Sequence, residues 1–166
     1  MNMIIVILVT VAAIGCGGSK EEETVAADQH VTAQQYGKDD LKKIKWIEGK
    51  WQGLYKGQPF YEIYRFVNDS TLESIGYEWD GKDSSKTTIS YVHFKDGAYY
   101  LGDKQNYKVI SITETEIKML PNVGVNNDVL WKYRDSTGWD AILKGAKETN
   151  IYNMQHFDPF TKIKPE

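Results

Sequence analysis

Trp46-Ile47-Glu48-Gly49-Lys50-Trp51-Gln52-Gly53 stands where a short polar, helix-like run gives way to a long series of strand-like segments. Gly49, two residues ahead of Trp51 at the start of the first strand, permits a tight backbone turn that carries the indole inward. There the ring fills the closed end of a small antiparallel barrel, where its large apolar area leaves water. Just upstream, Leu41, Ile44 and Ile47 are spaced three apart, and Asp39 or Asp40 is available as a cap. This pattern predicts one or two helical turns suited to cover a barrel mouth, with an extended lead-in as the alternative.

Downstream of Gly49 the period changes to two. Trp51, Gly53 and Tyr55 share one face; Val129, Trp131 and Tyr133 alternate with Leu130, Lys132 and Arg134; Trp139, Ala141 and Leu143 alternate with Asp140, Ile142 and Lys144. Strands are expected at 49–57, 59–67, 70–79, 85–95, 97–102, 106–113, 115–120, 128–135, 138–145 and 148–154. The separators are turn formers: Gly57-Gln58-Pro59, Asn68-Asp69-Ser70, Asp80-Gly81-Lys82-Asp83, Lys95-Asp96-Gly97 and Asp135-Ser136-Thr137-Gly138. Short connections throughout favour an up-and-down order, and closure removes exposed sheet edges. The fold class is all-β, an antiparallel up-and-down barrel of eight to ten strands behind a short N-terminal helix. The longest irregular piece, residues 121–127, is placed to lie across an opening.

Composition agrees. Among the 166 residues, eleven Tyr and five Trp favour pleated, half-buried surfaces. A formal net charge of -3 supplies neither a basic footprint for nucleic acid nor a polybasic membrane-binding face. The single cysteine rules out an intrachain disulfide, so packing and strand pairing must hold the fold.

That cysteine has a different use. Residues 4–14 form an almost unbroken apolar run, too short to span a bilayer as a helix and of the length of a secretory signal core. Ala13-Ile14-Gly15-Cys16 follows at once and resembles the lipobox of bacterial lipoproteins. The resemblance implies cleavage before Cys16 and acylation of its sulfur, and two or more chains anchor firmly where one is marginal. Lys20-Glu21-Glu22-Glu23 resembles the export signal that carries lipoproteins of the Bacteroidetes group to the cell surface; a solvated linker is the plain alternative. The expected organisation is a signal peptide over 1–15, lipidated Cys16 and a flexible tether over 16–38, a barrel over 39–158 and a tail over 159–166. The expected location is the outer membrane, facing either the periplasm or the cell surface.

Gly49-Lys50-Trp51 also resembles the Gly-x-Trp signature of the first strand of lipocalins and other calycins. With Glu62-Ile63-Tyr64, Thr71-Leu72 and Lys95-Asp96-Gly97, the pattern over residues 44–153 is similar to an uncharacterised family of bacterial lipocalin-like domains. Their late His-containing segment and the Thr-Asp-Tyr signature of classical lipocalins are both missing here. The resemblance implies a barrel with an internal cavity and supplies no reaction.

Chemistry-bearing motifs are few. His30, His93 and His156 lack metal-ligand spacing, and neither a Gly-x-Ser-x-Gly elbow nor a phosphate-cradling loop occurs. Glu62, Glu73 and Glu78 lie on neighbouring strands but are expected on solvated outer faces. The candidate lining of the interior is aromatic: Trp51, Tyr55, Tyr64, Tyr91, Tyr107, Trp131 and Tyr133. These rings either fill the barrel or line a mainly apolar cavity with a few polar points. The leading expectation is a lipid-anchored barrel that binds one small, partly apolar molecule without catalysis, cofactor or metal. One rival is an envelope module that contacts a protein or glycan through its outer surface. The other is an enzyme that uses Glu62 or His93 in the cavity.

Overall fold

The computed structural model describes residues 35–79 and 84–157. The signal segment, Cys16, His30, the turn at residues 80–83 and the tail at 159–166 lie outside these described residues, and so do the side chains of Glu78 and Trp79. Ten strands follow one another in order: β1 (Gly49–Tyr55), β2 (Gln58–Asn68), β3 (Thr71–Trp79), β4 (Ser84–Lys95), β5 (Ala98–Leu101), β6 (Tyr107–Ile112), β7 (Glu116–Pro121), β8 (Asp128–Asp135), β9 (Gly138–Lys144) and β10 (Thr149–His156). Each pairs antiparallel with its chain neighbour, and β10 pairs with β1, closing the barrel in up-and-down order. The closing seam registers Trp51 with His156 and Gln52 with Gln155. Phe157 N extends it by donating to Lys50 O at 3.0 Å.

The helix is a 3₁₀ helix, Asp40–Ile47, with a kink at Ile44. In a helix of three residues per turn, side chains three apart eclipse, so Leu41, Ile44 and Ile47 form one straight stripe. All three are completely buried. Asp39, at the N-cap, makes no side-chain cap bond; the Asp40 carboxylate instead accepts from Gly37 N at 2.7 Å.

Just past the helix, Gly49 takes φ +143°, and a Cβ there would sit 3.4 Å from the His156 ring and 3.6 Å from Trp51 Nε1. Only glycine adopts that turn without strain. The chain then delivers Trp51 beneath the helix, 2 % exposed, with Nε1 donating to Ile47 O at 2.7 Å. Around it lie Trp139 (6.1 Å, edge-on) and the stacked ring of His156 (4.0 Å). Trp139 in turn meets Tyr64, Trp131 and Trp46 at 5.5, 5.8 and 6.2 Å, and Trp46 meets Tyr133 at 5.7 Å. Tilted and edge-on contacts of this kind add to the gain from area burial.

The folded body reaches further back than the expected boundary at residue 39. Tyr36 is buried, packs edge-on against Tyr99 at 5.9 Å, and donates its N–H to Gly97 O. Tyr99 Oη donates to Lys38 O at 2.7 Å. Residues 36–38, expected outside the barrel, therefore belong to the folded body, because a large ring beside a buried tyrosine gains more from packing than from solvent.

The plug should be sensitive to a single donor. Trp51→Phe keeps most of the ring and removes the N–H that meets Ile47 O, so it should lower the unfolding free energy by about 1–3 kcal/mol. Urea titration followed by far-ultraviolet dichroism checks this, and an unchanged midpoint would refute the role given to that bond.

Candidate functional site

Strand register assigns every described side chain to the inside or the outside of the wall. Trp51 stands opposite Glu62 and Gly53 opposite Phe60, while Tyr64 stands opposite Ser74. Across the rest of the wall, Val92 and Leu101, Val109 and Met119, Ile117 and Trp131, and Ala141 and Tyr152 make further inward pairs. Gly53 is the tightest of these positions. A Cβ there would lie 2.4 Å from the Phe60 ring and 2.8 Å from Met154 Sδ, so its lack of a side chain lets Phe60 and Met154 pack across the interior.

The two ends of the interior differ. At the helix end and through the middle of the barrel Trp51, Tyr64, Leu72, Val92, Tyr99, Val109, Ile117, Met119, Trp131, Trp139 and Met154 are all buried, and Val129, opposite Leu143 toward the other end, is buried as well. At the other end the inward residues Tyr55, Phe60, Glu62, Leu101, Tyr107, Leu143 and Tyr152 keep accessible surface. The interior thus has a closely packed aromatic floor at the helix end, and its inward residues toward the other end keep part of their surface accessible. Tyr152 packs against Phe60 at 5.6 Å and Tyr55 at 6.1 Å on one wall.

The rim is built from two loops. Asn122 N and Val123 N donate to Asn106 O at 2.8 and 3.1 Å, Asn106 Nδ2 returns a bond to Val123 O at 3.0 Å, and Asn122 Nδ2 donates to Gln105 O at 2.8 Å. Tyr107 Oη, an inward group, donates to Asn127 Oδ1 at 3.0 Å. The long loop over 121–127 is therefore fastened to its neighbour at the mouth. Burial raises the Tyr107 hydroxyl above the ordinary range, so it stays protonated as a donor.

Of the seven residues expected to line a cavity, Tyr55 and Tyr107 face the recess. Trp51, Tyr64, Trp131 and Tyr133 belong to the floor beside the helix. Tyr91 is corrected to the outer face. It stands opposite Glu73, which stands opposite Arg65, one residue out of phase with the inward Tyr64. Glu73 is buried on that outer face, where its carboxylate accepts from Arg65 Nε and, at 3.0 Å, from Tyr91 Oη. The bond to Glu73 raises the Tyr91 hydroxyl.

Glu62 is corrected in the opposite sense, from a solvated outer face to the interior. It alternates with the outward Tyr61 and Ile63 and shares the inner face with Phe60 and Tyr64. Crowded by protein yet retaining accessible surface, it has the character of a group on the wall of a recess. Its Oε2 accepts from Tyr64 Oη at 2.7 Å. Loss of hydration raises the carboxyl above the usual range, and the Tyr64 bond offsets part of that rise. Burial, then the neighbouring Glu62, raise the Tyr64 hydroxyl well above its ordinary range, so it stays a donor to Glu62. Among the described strand residues no Lys or Arg is in phase with the inward face, but Lys56, in the turn after β1, places its Nζ 5.2 Å from the centroid of the inward Tyr55 ring. His93 lies outside, against Tyr100 at 6.3 Å, so it and Glu62 occupy opposite sides of the wall.

Phe60, Leu101, Leu143 and Tyr152 were missed as lining. Their signal was present in the alternation of each strand, and it needed the register to turn parity into direction.

The chain matches no family model, and comparison with curated proteins and with solved structures gave no match.

The raised carboxyl carries a signed consequence. The folded state holds the Glu62 proton more tightly than the unfolded chain, whose glutamates titrate near about 4.3. Burying Glu62 therefore costs stability above its raised pKa and costs nothing below the unfolded value. Glu62→Gln, which preserves an acceptor for Tyr64, should be more stable than wild type at neutral pH and flatten the fall in stability as pH rises from about 4.3. Unfolding series from pH 4 to 8 read this; a variant less stable than wild type at pH 7 would contradict it.

Proposed function

We propose that this protein is a lipid-anchored, lipocalin-like barrel of the bacterial cell envelope that holds a small, partly apolar molecule in its recess without catalysing a reaction on it. The observation that carries the reading is the asymmetry of the interior, with a sealed aromatic floor at the helix end and accessible Tyr55, Phe60, Leu101, Tyr107 and Tyr152 above it. Concave, mainly apolar sites with a few fixed polar groups are the usual form of small-molecule sites. The separation of Glu62 from His93 by the wall removes the acid–base pair that the enzymatic alternative would use first. The anchor rests on the apolar run and Ala13-Ile14-Gly15-Cys16. Outer-membrane placement follows from that anchor together with Lys20-Glu21-Glu22-Glu23.

A second reading has its own observation. On the outer face Tyr61 stacks on Tyr77 at 5.5 Å and lies 4.4 Å from Phe157. Tyr77 is buried and Tyr61 and Phe157 are half-buried, so the cluster presents a small aromatic patch of the kind that favours contact with a protein or a glycan.

Native mass spectrometry of protein purified from its own host tests the first reading. A bound organic mass is expected in wild type and should be lost in Leu143→Trp, which fills the recess. An unliganded wild-type mass, with no thermal stabilisation by a panel of small aromatic and aliphatic compounds, would overturn it. For the anchor, palmitate should label the wild-type protein in cells and not Cys16→Ala; equal labelling of both would remove the lipoprotein assignment.

A further inference from the structure

We infer that the recess selects a primary amine carried on an apolar body, with Glu62 as the group that receives the ammonium. The inference rests on the ligand-binding reading above and narrows it to one chemical class.

Three observations converge on Glu62. It faces the interior on the same strand face as Phe60 and Tyr64, and it keeps accessible surface where the floor residues beneath it keep almost none. Its carboxylate receives one hydrogen bond, from Tyr64 Oη at 2.7 Å, and among the described side chains no cation reaches it. A carboxylate accepts through about four lone-pair directions, and one that is withdrawn from water is stable only when paired. That demand is met by a proton, by water at the mouth or by an occupant, and a cationic occupant is the one that keeps the carboxylate charged. An ammonium brings three donors and the opposite charge, which is what this carboxylate lacks.

The direction of the Tyr64 bond decides between a donor and an acceptor as the occupant's polar end. Tyr64 donates to Glu62 at 2.7 Å. That hydrogen already points toward the carboxylate, so Glu62 is held as an acceptor, and an occupant's carboxylate would meet like charge. The wall completes the match. Tyr55, Phe60 and Tyr152 form a continuous aromatic surface that accommodates an apolar body; the Tyr55 ring already carries Lys56 Nζ at 5.2 Å, so Phe60 and Tyr152 are the rings left to an occupant.

The probes are phenethylamine, its neutral analogue phenethyl alcohol and the anion phenylpropionate, titrated into the wild-type protein by calorimetry at neutral pH. Phenethylamine should bind about tenfold or more tighter than the alcohol, because a charged hydrogen bond is worth more than a neutral one, and phenylpropionate should bind weakest. In Glu62→Gln the preference for the amine should vanish while affinity for the alcohol stays within about twofold, as the apolar contacts are unchanged. Equal wild-type affinities for amine and alcohol, or a preference that persists in Glu62→Gln, would overturn the amine assignment and leave the recess reading intact. No binding of any of the three would overturn both. The wild-type ranking alone decides the matter should the variant fail to fold.

Discussion

The structure depends on one bond that joins two kinds of secondary structure. Trp51 Nε1 donates to Ile47 O, so the last carbonyl of the helix is answered by the first large side chain of the barrel. Helix ends leave carbonyls without internal partners, and a buried one must find a donor elsewhere. Gly49 makes the bond possible, since its positive φ folds the chain back over four residues. The helix is thereby fixed over one mouth, its apolar stripe of Leu41, Ile44 and Ile47 facing the rings below. Tryptophans at 46, 51, 131 and 139 then supply a floor that no smaller side chain would fill.

Closing one end this heavily leaves the other end as the place where function can reside. The large rings sit low in the barrel, and the upper wall carries Leu101, Leu143, Phe60 and a pair of tyrosines with surface to spare. Against that apolar wall, Glu62 is an anomaly that packing does not explain. An interior carboxylate with a single hydroxyl donor lowers stability, and folds retain such groups where they serve binding or chemistry. The contrast with Glu73 is informative. That carboxylate is also buried, but on the outer face, between an arginine and a tyrosine that satisfy it.

Much of this architecture was legible in the chain. All ten strands lie within a few residues of their expected spans, because alternation and turn residues are local signals. The inward course of Trp51 and the covering helix were legible too, from the Gly49 spacing and the three-residue stripe. The form of the helix was not, since a stripe at three-residue spacing fits one turn of either helix type. Direction was the weak point. Tyr91 looked like lining because its ring suggests an interior, yet one residue of parity sends it outward. Glu62 looked like surface because carboxylates usually are, and only its pairing with Trp51 shows the reverse. Parity is set by long-range register, which no window along the chain contains.

The central claim is that the barrel is sealed at the helix end and accessible at the other. Water-selective nuclear Overhauser measurements on methyl-labelled protein test it directly. The account predicts cross-relaxation with water at Leu101 and Leu143 and none at Val109, Ile117 or Met119. Silence at all five would mean a barrel filled from floor to rim, and the recess would be gone.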